Sequence, residues 1–300
     1  MKKISILIII IISFGNSKKL HACDMCGCSS MGGLNNLSSY ATNNFIVFKS
    51  AYNAFHTFSE TEGSLVTSDM YTLDLVGGYS LNDRLHLSGY FPFKINNYSS
   101  GETETKVKGL GDIGLVANYI LFKSNDTILG NQQYNFSVKG GIEFPTGKFN
   151  KNFRTDHLPA SVSAGSGSID LITGARFVLY KGYTNYLADY TFKYNFENAS
   201  MYRFGMQNSL ALIVTHKLQK GKSEFILFGG LIGEHASFDK FHDIDQHATS
   251  GENLFLDLGF EFVRKKIFAG ISSDIPLYSD FGGEISSKPR YSLSFGYLFN

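Results

Sequence analysis

The sequence predicts an all-β protein, a single antiparallel transmembrane β-barrel of about twelve strands with short turns at one end and long loops at the other. Three observations carry this. From Asn44 to the last residue, apolar and aromatic side chains recur at every second position, as in Tyr291, Leu293, Phe295, Tyr297 and Phe299 alternating with Ser292, Ser294 and Gly296. Period two is the signature of a strand with two unlike faces. The connections between runs alternate short and long. And the chain opens with a secretory pattern but holds no other long apolar run, as export to an outer membrane requires.

The elements follow in order. Residues 1–22 read as a signal peptide, with Lys2 and Lys3 before an apolar core from Ile4 to Phe14 that is too short to span a bilayer as a helix. Residues 23–43 form a cysteine-containing segment, expected to hang in the periplasm or fold back as a plug. Residues 44–300 form the barrel. Its strands are expected near 44–57, 69–80, 84–97, 109–122, 133–145, 168–180, 183–196, 202–217, 223–234, 252–263, 266–277 and 290–299. Tight turns such as Lys181-Gly182 and Arg264-Lys265 belong on the periplasmic side. The stretches 58–68, 98–108, 146–167, 235–251 and 278–289 belong outside. Pro92 and Pro276 fall inside strand-like runs, where a missing ladder N–H is tolerated only at a bulge or near a loop.

Composition agrees with a barrel wall. Phe (27), Tyr (17) and Gly (31) are abundant and Trp is absent, so Tyr and Phe must anchor the membrane interfaces. A net charge of +1 gives no basic field for nucleic acid. Charges on a lipid-facing strand would cost about 2–4 kcal/mol each near the midplane. The strand charges must therefore line the lumen: Asp74, Arg84, Lys94, Asp112, Lys139, Glu143, Asp170, Arg176, Asp189, Lys193, Arg203, Asp257, Glu261, Asp274 and Arg290. Acids and bases are nearly balanced in this set, which argues against strong ion selectivity.

The three cysteines of the chain, Cys23, Cys26 and Cys28, are spaced to hold a soft metal ion such as Cu or Zn, with Met25 and His21 nearby. A disulfide and a lipid-modified Cys23 are equally open readings in an exported chain. His235, Asp239, His242, Asp243, Asp245 and His247 crowd one long loop and read first as a solvated surface. No Ser-His-Asp set, phosphate loop or paired-carboxylate signal points to an enzyme.

Five stretches resemble the bacterial outer-membrane transporter family of phenol-degradation MetA-like barrel proteins. They are Gly109-Leu110-Gly111-Asp112-Ile113, Gly141 to Pro145-Thr146-Gly147, Leu158-Pro159 followed by Gly165-Ser166-Gly167-Ser168-Ile169-Asp170, Ile275-Pro276-Leu277-Tyr278, and the aromatic strand 290–299. The resemblance implies an outer-membrane barrel in a Gram-negative-type bacterium that passes a small, often hydrophobic or aromatic, solute. Its partners would be outer-membrane lipid and the barrel-assembly machinery. The cysteine cluster departs from that family and keeps a metal-handling barrel open as an alternative, beside a closed structural barrel.

Overall fold

A computed structural model describes residues 44–59, 64–101, 103–124, 132–156, 158–246, 249–281 and 286–299. The signal, the cysteine cluster and His247 lie outside them. Twelve antiparallel strands make the wall: β1 (Asn44–Ser59), β2 (Ser64–Ser80), β3 (Leu85–Ser100), β4 (Thr103–Leu110 and Ile113–Lys123), β5 (Gln132–Phe144), β6 (Asp170–Lys181), β7 (Thr184–Asn195), β8 (Gln207–Lys220), β9 (Ser223–Ala236), β10 (Gly251–Arg264), β11 (Ile267–Asp280) and β12 (Arg290–Phe299). Each pairs with its neighbour in sequence. β1 pairs with β2 through Phe48↔Leu75 and with β12 through Phe48↔Phe295, so the sheet closes on itself and leaves no edge.

The period-two pattern separates two faces. Ile46, Phe48, Leu75, Phe91, Leu115, Leu293 and Phe295 stand outward and exposed, whereas their strand neighbours Val47, Val76, Val116 and Phe268 turn inward and are buried. Glycine and aromatic residues mesh on the inner face. A Cβ added to Gly114 would lie 2.0 Å from the Tyr90 ring, one on Gly78 2.3 Å from Phe45, and one on Gly259 2.0 Å from Phe228. The glycines are there because a ring from the adjacent strand lies flat over them, filling space that a curved wall would otherwise leave empty.

The turns at one end are short. β6–β7, β8–β9 and β10–β11 each reverse in two residues, with positive φ at Gly182, Gly221 and Lys265. At the other end the expectation holds only in part. Stretches 98–108 and 58–68 are not loops: β3 runs to Ser100 and β4 starts at Thr103, and β1 and β2 extend their ladder in the same way to Ser59↔Ser64. Thr103, Thr105 and Val107 are β-branched at alternate positions, and that propensity outweighs the charges between them. The true long connections are 145–169, 196–206, 237–250 and 281–289.

Both prolines mark ladder irregularities. β4 breaks at Gly111-Asp112 opposite Pro92, which has no N–H to give, and the Gly111 N–H donates to the Pro92 carbonyl at 2.8 Å. β10 and β11 slip register at Leu254/Phe255, with Phe255 opposite Pro276.

Candidate functional site

The lumen and the loops folded over its mouth form one construction, and the break in β4 organises it. Asp112, freed from the ladder, points inward with 5% exposure. Its Oδ1 accepts from the Gly147 N–H at 2.9 Å and its Oδ2 from the Ser166 N–H at 2.6 Å. The Thr146 hydroxyl donates to the Gly111 carbonyl (2.9 Å) and accepts from the Ile113 N–H (3.0 Å). A Cβ at Gly165 would lie 2.5 Å from Gly147, so only glycine lets these two backbones meet. Three of the motifs singled out in the sequence thus tie a single knot. Between its two ends the 145–169 loop dips into the barrel, where the Asn96 amide donates to the Val162 carbonyl at 2.8 Å, with Ala160, Val162 and Ala164 buried.

Two further loops pack onto this one. Phe149, Phe153, Tyr202, Phe204 and Phe241 cluster, with Tyr202 rings 5.6 Å from Phe149 and 5.2 Å from Phe153. Asn198 is buried and structural: its amide donates to the Ser166 carbonyl (2.8 Å) and its oxygen accepts from the Ser200 N–H (2.8 Å). Asp239 joins the second and third loops, accepting from the Tyr202 hydroxyl (2.5 Å) and the Gly205 N–H (2.6 Å).

Burial pushes the Asp239 carboxyl up from 3.8 to about 6. Its folded value lies above its unfolded one, so its contribution to loop packing is complete below about pH 4 and is lost as pH rises through 6. Amide protection factors over 237–246 should therefore fall roughly tenfold between pH 5 and 7. They should stay level in Asp239→Asn, and a rise with pH would contradict the assignment. Among the described residues no three His, Cys, Asp or Glu side chains converge on one point, and Asp245 instead pairs with Lys240 at 3.4 Å.

The inner wall carries two belts. An apolar one, Phe45, Val47, Val76, Tyr90, Val116, Ile172, Ile226, Val263 and Phe268, runs along adjacent strands. The polar one consists of discrete charge groups. Asp189, fully buried, holds both Lys139 and Arg176. Lys193 bridges Glu143 and, at 3.4 Å, Asp170, and the Tyr90 hydroxyl completes Glu143 at 2.7 Å. Across the barrel wall, Arg290 reaches from β12 to β9 and grips Glu234 with two bonds of 2.9 and 2.8 Å, its guanidinium lying 3.9 Å over the Phe255 ring.

The expected lumen residues fall as follows. Asp74, Lys94, Lys139, Glu143, Asp170, Arg176, Asp189, Lys193, Asp257, Glu261, Asp274 and Arg290 face inward, and Asp112 sits at the mouth in its knot. Two do not line the lumen. Arg84 lies exposed in the β2–β3 turn, because β3 begins only at Leu85. Arg203 belongs to a small loop sheet, paired with Lys240, because Gly205 breaks the run before β8. Lys49 and Glu234 were missed, although each shares the strand parity of the buried face. Cys23, Cys26 and Cys28 lie outside the described residues.

An outer-membrane channel from Pseudomonas putida F1 has the same architecture, with a TM-score of 0.60 at 16% identity over 86% of this chain and 96% of that one. The chain has the fold of an outer-membrane β-barrel. Other solved barrels match more loosely. The β-domain of the Bordetella autotransporter BrkA gives 0.49 at 13% identity, covering 86% and 100% of the two chains. CymD, a monoaromatic hydrocarbon channel, gives 0.45 at 9%, covering 94% and 95%. No protein-family model matches the sequence, and no curated protein does.

Proposed function

We propose that this protein is an outer-membrane channel for a small solute, with its mouth narrowed by the folded-in 145–169 loop. The observation that carries the reading is the inversion of the two faces: apolar side chains outward over a closed sheet, and buried charge groups inward. Such a wall suits lipid outside and a polar path inside. The inner apolar belt supports a solute with an apolar or aromatic surface, which could slide past Phe45, Tyr90 and Phe268 between the charged groups. The outer membrane of a Gram-negative-type bacterium is the membrane this architecture fits.

Solute flux tests the reading. Liposomes carrying the refolded protein should swell in isosmotic solutions of small sugars and small aromatic acids faster than empty liposomes. The rate should rise when residues 150–163 are replaced by a short glycine-serine link. Swelling no faster than protein-free vesicles in both forms would remove the channel reading.

A further inference from the structure

The lipid-facing side of the wall also carries charge, on the outer part of β4. Asn96 turns inward to hold the Val162 carbonyl, and Val107 is its partner across the β3–β4 ladder. Strand alternation therefore turns Lys106 and Lys108 outward, on the side of Leu110, Phe91 and Leu115. Both lysines are exposed. Lys108 stands opposite Ile95, which stands opposite Tyr71, and the Tyr71 ring lies 4.9 Å from that of Tyr52. Outward tyrosines mark a membrane interface, so the two lysines meet the headgroup layer at the end that bears the long loops. Elsewhere on the surface Lys217 and Lys240 are answered by Glu224 and Asp245. Lys106 and Lys108 form an ion pair with no described residue. Of the acids on their own face, Glu104 pairs with neither, and Asp69 accepts from the Tyr52 hydroxyl at 2.6 Å.

Beneath this pair the same face is hollow. An apolar groove of about 750 Å³ crosses β2 to β5, with Gly77 opposite Gly89 and Ala117 opposite Gly140 along its floor and Leu115 and Ile142 at its sides. A Cβ on Gly140 would meet no atom within 4 Å, so the groove is open to lipid there. From Ile95, beside Lys108, the strand runs to Gly89 over about 20 Å, or about 15 Å of depth at a barrel's usual tilt. That is half of the ~30 Å hydrocarbon core, the depth of one leaflet. We propose that Lys106 and Lys108 hold the phosphate of an anionic outer-leaflet lipid of the lipid A class, and that its acyl chain lies in the groove below. Two ammonium groups at alternate positions of one strand face suit a phosphate monoester, which carries close to two charges. A zwitterionic headgroup brings its own cation and answers them less well. The inference goes beyond the channel reading and does not depend on conduction.

The test is native mass spectrometry of the refolded barrel in non-ionic detergent, titrated with bisphosphorylated lipid A and with the same lipid stripped of its phosphates. The wild type should hold the phosphorylated lipid about tenfold or more tightly than the stripped one, and Lys106→Gln/Lys108→Gln should lose that preference. Lys220→Gln/Lys222→Gln removes the same charge from exposed positions at the opposite end and should bind as the wild type does. Gly140→Leu, which fills the groove, should weaken both lipids alike. A preference kept in Lys106→Gln/Lys108→Gln, or lost equally in Lys220→Gln/Lys222→Gln, overturns the proposal, as does a wild type that retains neither lipid. Displacement of the lipid by millimolar inorganic phosphate would mark a site for the free anion and overturns the lipid as its occupant. Unchanged binding in Gly140→Leu overturns the groove as the seat of the acyl chain.

Discussion

Replacing Asp189 with alanine lowers the unfolding free energy by about 3–5 kcal/mol, because two cations are left buried without their anion. Asp189 is fully buried and serves Lys139 and Arg176 together, with Thr191 adding a hydroxyl at 3.1 Å. The loss is not the worth of the ion pairs themselves, whose attraction is largely offset by the cost of desolvating them. A second variant separates the two effects. Changing Asp189 to Leu together with Lys139→Met and Arg176→Met removes the charges as a set and should recover most of the loss. Guanidinium unfolding of the refolded barrel in detergent measures both. A single-variant loss under about 1 kcal/mol, or a triple variant weaker than the single, would contradict the account.

Asp112→Ala should open the mouth. The carboxylate is the acceptor for two buried backbone N–H groups, one at each end of the 145–169 loop. Hydrogen bonds to a charged acceptor are worth about 1.5–3 kcal/mol each, so the loop loses about 3–6 kcal/mol of anchoring. The twelve-strand ladder does not pass through Asp112, since β4 is already broken there. The barrel should therefore still fold while the loop comes free. Proteolytic cutting within 150–157 should speed up by more than tenfold, and the barrel should keep its resistance to heat in detergent. Cutting at the wild-type rate would mean that the loop is held by its aromatic packing alone.

Much of this architecture was legible in the sequence because the forces that set it are local and periodic. Alternation marks a strand wherever one face differs from the other, and tight turns betray themselves by Gly182 and Gly221. Pro92 and Pro276 foretold irregular ladder, and both sit at a break or a slip. The pattern fails where both faces are apolar. In β1, Phe45-Ile46-Val47-Phe48 has no polar alternate, so the inner apolar belt that includes Phe45 and Val47 could not be told from the outer face. Loop lengths misled at 98–108, where β-branched residues carry the hairpin beyond the expected strand ends. Arg84 and Arg203 read as lumen charges because each adjoins a strand-like run, whereas each lies ahead of a wall strand, which begins at Leu85 and at Gln207.

The mouth was visible only as separate words. Asp112, the Pro145-Thr146-Gly147 turn and Gly165-Ser166 each stood out, but nothing in their spacing states that one carboxylate receives two distant N–H groups. The same holds for Asp239, which reads as one acid in a polar loop and is in fact enclosed beside Tyr202. Long-range pairing of single side chains follows from the closure of the barrel, which brings strands distant in sequence to one rim.

Single-channel recording of the refolded wild type beside Asp112→Ala puts the central claim, a passage through the barrel gated at its mouth by the anchored loop, to the most direct test. Discrete conductance steps in the wild type that grow about twofold or more in the variant are the expected result. A wild type and variant that are both electrically silent, or that conduct alike, would contradict it.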